Sequence, residues 1–271
     1  MTISEWLGLA TDRLAANGVD SPRLEARVLL QRALGLSHPE IITKSDSEID
    51  PALADSLLAR RLRHEPIAYI IGEREFYGRP FRVTPAVLIP RQDTEILVER
   101  VLTEVQQGTV LDIGTGSGAI AVSLALENPA LRVTGSDLSP EALEVAQLNA
   151  QALGADVEWV LSDLFEAFAG RKFELIASNP PYIDRSEPLK DEVRHFEPEM
   201  ALFADKQGLF FYEKLAIEAK TYLNKGGLIV LEVGYTQAEQ VKSLLSAHGW
   251  AVQPSSFDLA GIERVVVARY P

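Results

Sequence analysis

The chain has 271 residues, 46% of them hydrophobic and 24% charged, a soluble globular balance that leaves no stretch disordered on composition and gives length for one α/β domain with roughly 70 to 100 residues over. A formal charge of −13 disfavours a broad phosphate-tracking surface, so direct nucleic-acid binding is not expected, and the absence of cysteine excludes disulfides, thiolate metal sites and a cysteine nucleophile. No apolar run approaches the ~20 residues that cross a bilayer, and Met1–Gly18 carries Glu5, Asp12 and Arg13 where a signal peptide would be apolar; a cytoplasmic protein without membrane attachment is expected.

The first part of the chain reads as helices with capped starts. Thr2 and Glu5 have capping-box spacing, after which Trp6, Leu7, Ala10 and Leu14 fall on one helical face before Gly18. Ser21-Pro22 starts a second helix with Leu24, Val28 and Leu29 inward, and Asp50-Pro51 a third carrying Leu53, Leu57, Leu58 and Leu62. Between Pro66 and Pro90 the pattern changes to short apolar and aromatic runs, Ala68–Ile71, Phe76, Tyr77, Phe81 and Val83, broken by glycine and proline; that suits a strand pair. These shifts divide the chain into a helical domain (1–73), a linking β-hairpin (74–93) and an α/β domain (94–271).

From Thr94 strands and helices alternate. The expected strands are 110–113, 132–136, 157–161, 174–178, 228–233 and 264–268, with helices near 96–105, 119–126, 140–153, 210–223 and 238–247. Such alternation specifies a doubly wound, mostly parallel, Rossmann-like sheet that binds ligands beyond the carboxyl ends of its strands.

Two turns carry chemistry. Asp112-Ile113-Gly114-Thr115-Gly116-Ser117-Gly118 follows a buried-type strand and opens a helix, the context of a nucleotide-binding turn. The next strand ends at Asp137, 23 residues beyond Gly114, close to the ~20 expected of a ribose-binding acid. Asp137 would accept from a ribose diol or cap the helix starting near Pro140, and Ser162-Asp163 offers a polar group beside an adenine or a second cap. A dinucleotide enzyme and a methyltransferase both satisfy this turn; Asp112 leans toward the latter.

The second turn, Asn179-Pro180-Pro181-Tyr182, ends the fourth strand, where two prolines stop both ladder and helix. The Asn179 side-chain oxygen and the Pro180 carbonyl can accept the two hydrogens of an NH2 group while Tyr182 offers a flat surface, which orients a nitrogen whose lone pair is delocalised. The four histidines, His38, His64, His195 and His248, make no metal spacing, and no metal is expected.

Together with Pro66–Gly72, Glu75-Phe76-Tyr77-Gly78, Ile89-Pro90-Arg91-Gln92-Asp93-Thr94-Glu95, Phe196-Glu197-Pro198 and Gly208-Leu209, these turns resemble the release factor glutamine methyltransferases, a family of class I S-adenosylmethionine-dependent methyltransferases, over nearly the whole chain. The resemblance implies a seven-stranded sheet with an antiparallel last strand, S-adenosyl-L-methionine as cofactor and S-adenosyl-L-homocysteine as product. It implies cofactor contacts from Gly114, Thr115, Gly116, Ser117, Gly118, Asp137, Asp163, Leu164 and Asn179. It also implies that Asn179, Pro180, Pro181 and Tyr182 bind the substrate, with Asn179, Pro180 and Tyr182 as the catalytic set, and that the substrate is the glutamine of a Gly-Gly-Gln loop in peptide chain release factors, linking the enzyme to translation termination. The helical domain and hairpin would help dock that partner, and a monomer is expected. Leu164, Gln92 and Phe196 stand where the family more often has an aromatic residue, proline and tyrosine. Arg91, Thr94 and Glu95 would either line the cofactor pocket or start and cap a helix. The alternative acceptors are an adenine amine of DNA, since the Asn-Pro-Pro-Tyr turn is shared with adenine methyltransferases, and a glutamine of a ribosomal protein.

Overall fold

A computed structural model describes all residues, 1–271, in two compact units: residues 1–73 with 189–196, and residues 74–188 with 197–271. The first contains α1 (Ile3–Ala16), α2 (Pro22–Leu34), α3 (His38–Thr43), α4 (Ala52–Arg61) and α5 (Ile67–Ile71). Thr2 and Glu5 form the reciprocal capping box, with bonds of 2.8 and 3.2 Å. Trp6, Ala10, Leu14, Ala26, Leu29, Leu30, Leu57 and Leu58 pack as its core.

Three expectations for this unit need correction. Leu24 is 49% exposed; Ala26, Leu29 and Leu30 form the inward face instead, because the apolar stripe begins one turn later than the first leucine suggests. Ala68–Ile71 is not a strand but most of α5, bounded by Pro66 and by Gly72 at φ +84°. The α3 helix was not anticipated, although Ser37, Pro39 and Glu40 supply a capping box and an early proline. The 189–196 segment, containing α6 (Asp191–Phe196), joins this unit through Lys190–Asp20 at 2.8 Å and Arg61–Glu192 at 3.0 Å.

In the second unit β1 (Glu73–Phe76) and β2 (Arg79–Arg82) form the hairpin. A lone hairpin is marginal in water, and burying Phe76 and Phe81, edge to face at 5.8 Å, contributes roughly 2 to 3 kcal/mol per ring. Asn149 clasps the hairpin backbone, accepting from Arg82 N at 2.7 Å and donating to its carbonyl at 3.0 Å.

The large sheet is made of β3 (Gly108–Ile113), β4 (Leu131–Asp137), β5 (Val157–Leu161), β6 (Phe173–Ser178), β7 (Leu223–Glu232), β8 (Ala251–Phe257) and β9 (Glu263–Arg269) in the order β5-β4-β3-β6-β7-β9-β8. Strands β3 to β7 run parallel and β9 is antiparallel to both neighbours. Alternate residues serve opposite faces. Val110, Leu175, Val230 and Val267 meet α7 (Glu95–Glu104), α8 (Ala119–Glu127) and α9 (Pro140–Leu153), whereas Leu111, Ile176, Ile229 and Val266 meet α10 (Phe210–Glu218) and α11 (Ala238–Ala247). A separate short helical turn covers Glu199–Leu202.

β8 was not foreseen because it lies at the sheet edge, carries Pro254 and is interrupted by register shifts near Gln253 and Ser256, which blur the apolar alternation. The expected 210–223 helix stops at Glu218 and passes through a 3-10 turn into β7, which starts at Leu223.

Candidate active site

Strand order decides which turns meet. The chain winds from β3 outward through β4 to β5, then returns to place β6 on the other side of β3, so β3 and β6 flank the switch point. Ile113 and Ser178 are register partners, and the Ser178 hydroxyl donates to the Ile113 carbonyl at 2.7 Å. The residues that follow, Gly114 and Asn179, therefore leave adjacent strands side by side, and both line one cavity of about 260 Å³.

The rest of that cavity comes from Ile113, Gly116, Asp137 to Ser139, Ala142, Ser162 to Leu164, Ser178, Pro180 and Pro181 on one hand, and from Ala86 to Leu88, Pro198, Met200, Ala201, Phe203 and Phe211 on the other. Thr115, Ser117 and Gly118 do not line it. Thr115 is buried and donates to Asp112 Oδ2 at 2.6 Å, the Ser117 carbonyl accepts from Asn149 at 2.8 Å, and Gly118, at φ +79°, leaves room for Ala146 and Trp159. These three residues shape the turn from outside the cavity lining.

Asp112 lies wholly buried beneath the turn, and burial pushes its carboxyl up to about 7. Asp137 spans the two turns: Oδ2 accepts from Gly116 N at 2.8 Å and Oδ1 from Ser139 N at 3.0 Å. Burial raises its pKa, opposed by the N–H donors of Ser139, Gly116 and Leu138. The cap of the following helix is Ser139, whose hydroxyl accepts from Ala142 N at 3.1 Å, so Asp137 is not needed as the cap. Asp163 is exposed at the cavity, and Leu164 holds φ +45°, a left-handed conformation costly for leucine, with its carbonyl accepting from Ser162 at 3.1 Å. An apolar wall of Leu138, Ala142 and Leu164 next to the Asp137 carboxylate suits a nucleoside: a flat base against the aliphatic side chains and a diol at the acid.

At the acceptor turn the Asn179 side-chain nitrogen donates to the Thr94 hydroxyl at 3.3 Å, which leaves its oxygen free to accept. The Pro180 carbonyl receives no bond from the protein. Tyr182 does not line the cavity; its half-buried ring packs against the core to which β7 and α10 contribute, and its carbonyl accepts from Gln237 Nε2 at 2.9 Å. Burial, with Glu232 nearby, pushes the Tyr182 phenol up to about 12, so it holds its proton at neutral pH. The flat side chains that do line the cavity are Pro180, Pro181, Phe203 and Phe211.

Several wall residues carry no local signal. Met200, Phe203 and Phe211 look like ordinary core hydrophobics, yet all three reach the cavity; near the first two, Glu197 ties the chain to 89–91, accepting from Ile89 N at 3.1 Å and from Arg91 at 2.6 Å. Arg91, Thr94 and Glu95 themselves do not line the cavity; Glu95 accepts from Tyr77 N at 2.9 Å. No cluster of acidic or histidine side chains could hold a metal, and no helix is long and apolar enough to cross a membrane.

A seven-stranded sheet with a glycine-rich turn and an Asn-Pro-Pro turn meeting in one cavity at its switch point is that of a class I methyltransferase dependent on S-adenosylmethionine. Residues 91–196 match the methyltransferase small domain family and residues 5–72 the PrmC N-terminal domain. The chain is 42% identical to the release factor glutamine methyltransferase of Koribacter versatilis, covering 100% of this chain and 99% of that one. It is 43% identical to that of Geobacter sulfurreducens, covering 99% and 96%. The fold is shared with a methyltransferase of Pyrococcus furiosus, at a TM-score of 0.55 and 20% identity over 80% of this chain and 98% of that one. The chain belongs to the release factor glutamine methyltransferase family.

Proposed function

We propose that this enzyme methylates the side-chain amide nitrogen of the glutamine in the Gly-Gly-Gln loop of peptide chain release factors, as a monomer in the cytoplasm, with the helical unit and the hairpin docking the partner. One observation carries the reading: the Asn179-Pro180-Pro181 backbone and the Gly114–Asp137 pocket share one cavity in a chain alike over its full length to enzymes of that name.

When bound, S-adenosylmethionine supplies a methyl carbon made electrophilic by the positive sulfur. The protein's part is alignment. Asn179 Oδ1 and the Pro180 carbonyl accept the two amide hydrogens, which turns the nitrogen lone pair toward the methyl and favours pyramidalisation; fixing two reactants this way supplies roughly 7 to 11 kcal/mol in favourable cases. As the N–C bond forms the S–CH3 bond breaks and S-adenosylhomocysteine leaves as a neutral thioether; no strong base is required, because the nitrogen becomes acidic only once it has gained its fourth substituent, and water then takes its proton. The acids at the cavity, Asp137 and Asp163, are assigned to the cofactor.

Asp137→Ala is expected to weaken S-adenosylmethionine binding by about 10- to 100-fold, the value of one or two charge-assisted bonds to a diol, with a smaller effect on turnover at saturating cofactor. Calorimetric titration checks the first part and initial rates the second. The substrate reading is tested by offering labelled cofactor with an intact release factor, the same factor with its loop glutamine replaced, a ribosomal-protein fraction and duplex DNA. Label confined to the intact factor is expected; label on DNA, on ribosomal protein alone, or equally on both factors would overturn the reading.

A further inference from the structure

The acceptor turn has few means of fastening itself. Pro180 and Pro181 carry no N–H, so two backbone donors that would tie the turn to its surroundings are missing. Yet the Pro180 carbonyl must keep one direction if it is to accept a substrate hydrogen. We infer that Gln237 is a positioning residue for methyl transfer, clamping the backbone on which the substrate glutamine is aligned.

Gln237 stands at the N-cap of α11 and is 6% exposed, but its side chain makes no capping bond to that helix. Its amide is committed to three other backbone segments. Nε2 donates to the Tyr182 carbonyl at 2.9 Å and to the Gln207 carbonyl at 3.5 Å, while Oε1 accepts from Gly234 N at 3.2 Å. Carbonyls only accept and a backbone N–H only donates, so the amide has a single satisfied orientation. A side chain that only accepts, or an aliphatic one, would leave these backbone groups unpaired.

The two carbonyls belong to the two stretches that build the acceptor side of the cavity. Tyr182 closes the Asn179-Pro180-Pro181 turn, and a bridge between Ile183 and Phe203 ties that turn to the second stretch: Ile183 N donates to the Leu202 carbonyl and Ala204 N to the Ile183 carbonyl, each at 3.0 Å. Phe203 lines the cavity, and from it the chain passes through Lys206, Gln207 and Gly208, at φ +56°, +58° and +81°, to Phe211, which lines it too. Left-handed backbone is costly for lysine and glutamine and persists only where neighbours hold it, and the bond from Gln237 to the Gln207 carbonyl is one such hold. Glycines leave room for the clamp: a Cβ on Gly208 would lie 2.5 Å from Nε2, and one on Gly234 2.7 Å from Oε1. None of the three bonded groups lies in the Gly114–Asp137 half of the cavity. Loss of the clamp therefore moves the acceptor turn and leaves the cofactor side in place.

This inference rests on the methyl-transfer reading, and the test separates the two. Initial rates with release factor and S-adenosylmethionine, cofactor binding by calorimetry and melting temperature are measured for wild type, Gln237→Glu, Gln237→Ala, Gly234→Ala and the double variant with Gly234→Ala and Gln237→Ala. Gln237→Glu keeps the length and an acceptor for Gly234 N but sets an oxygen against the two carbonyls. In both Gln237 variants kcat is expected to fall about 10- to 50-fold, the cost of a misaligned reactant, while the cofactor Kd and the KM for release factor stay within about threefold of wild type. Gly234 is not left-handed, so a methyl there acts through its collision with the amide; kcat is expected to fall about tenfold. The double variant is expected to stay within about threefold of Gln237→Ala, because the group that the methyl strikes is gone. Losses that multiply in the double variant, a melting temperature that falls while kcat does not, or equal losses in kcat and cofactor binding would overturn the clamp. Should Gln237→Ala not fold, unchanged kcat in Gln237→Glu or in Gly234→Ala would overturn it equally. A folded, cofactor-binding wild type that leaves the release factor unmethylated would instead overturn the function itself.

Discussion

Asn179→Ala is expected to lower turnover by at least about 10³-fold while leaving the S-adenosylmethionine dissociation constant within about tenfold of wild type. The asymmetry follows from where the side chain is committed. Its nitrogen is held by Thr94, and its oxygen is the one side-chain acceptor at the turn between the two strands, whereas Asp137, Gly116 and Leu164 stay in place to receive the nucleoside. Removing the oxygen leaves one substrate N–H without a partner and the nitrogen free to remain flat, with its lone pair conjugated and misdirected. Single-turnover rates at saturating cofactor, with binding measured separately by calorimetry, check both halves. Weak cofactor binding with normal turnover at saturation would assign Asn179 to the cofactor alone.

Gly208→Ala is expected to be the most damaging single change outside the cavity. Gly208 holds φ +81°, and a Cβ there would press onto the Tyr182 carbonyl oxygen and lie 2.5 Å from Gln237 Nε2. Those two atoms are themselves bonded at 2.9 Å, and Gln237 Oε1 accepts from Gly234 N at 3.2 Å, so the added methyl strikes the lock that ends the acceptor turn. Gly78→Ala provides the comparison. At φ +71° with open space around it, it carries the conformational cost without the collision. Gly78→Ala is expected to cost about 1 kcal/mol of stability and to leave kcat near wild type. For Gly208→Ala the collision adds about 1 to 3 kcal/mol. Its kcat is expected to fall about 10²-fold as the turn shifts. Chemical denaturation paired with initial rates distinguishes the two; equal behaviour of the variants would mean that only backbone strain matters.

The parts of the site legible in the sequence are those set by local chemistry. Glycines after a buried strand, an acid about 20 residues on, and a proline-stopped turn each state their conformation in a few letters, and the winding of a parallel sheet then brings them together. Pro140–Leu153 and Ala238–Ala247 show their ends because a proline start and a strong apolar stripe are local signals. What stayed hidden depends on distant partners. Glu197 reads as a surface glutamate until Ile89 N and Arg91 are seen to enclose it. Tyr182 follows the prolines as a flat surface for the substrate would, yet its ring packs against the core outside the cavity lining and its carbonyl accepts from Gln237, a placement set by distant partners. The pattern Thr115, Ser117 and Gly118 likewise specified the turn correctly while overstating how many of its residues face the cavity.

Methyl transfer here turns on two acceptor atoms and one nitrogen. A crystal structure with S-adenosylhomocysteine and a peptide containing Gly-Gly-Gln measures it directly: the glutamine amide nitrogen should lie within hydrogen-bond distance, about 2.7 to 3.2 Å, of both Asn179 Oδ1 and the Pro180 carbonyl, on the side facing the cofactor sulfur. A glutamine held by other groups, or an Asn179 side chain turned with its nitrogen toward the peptide, would contradict it.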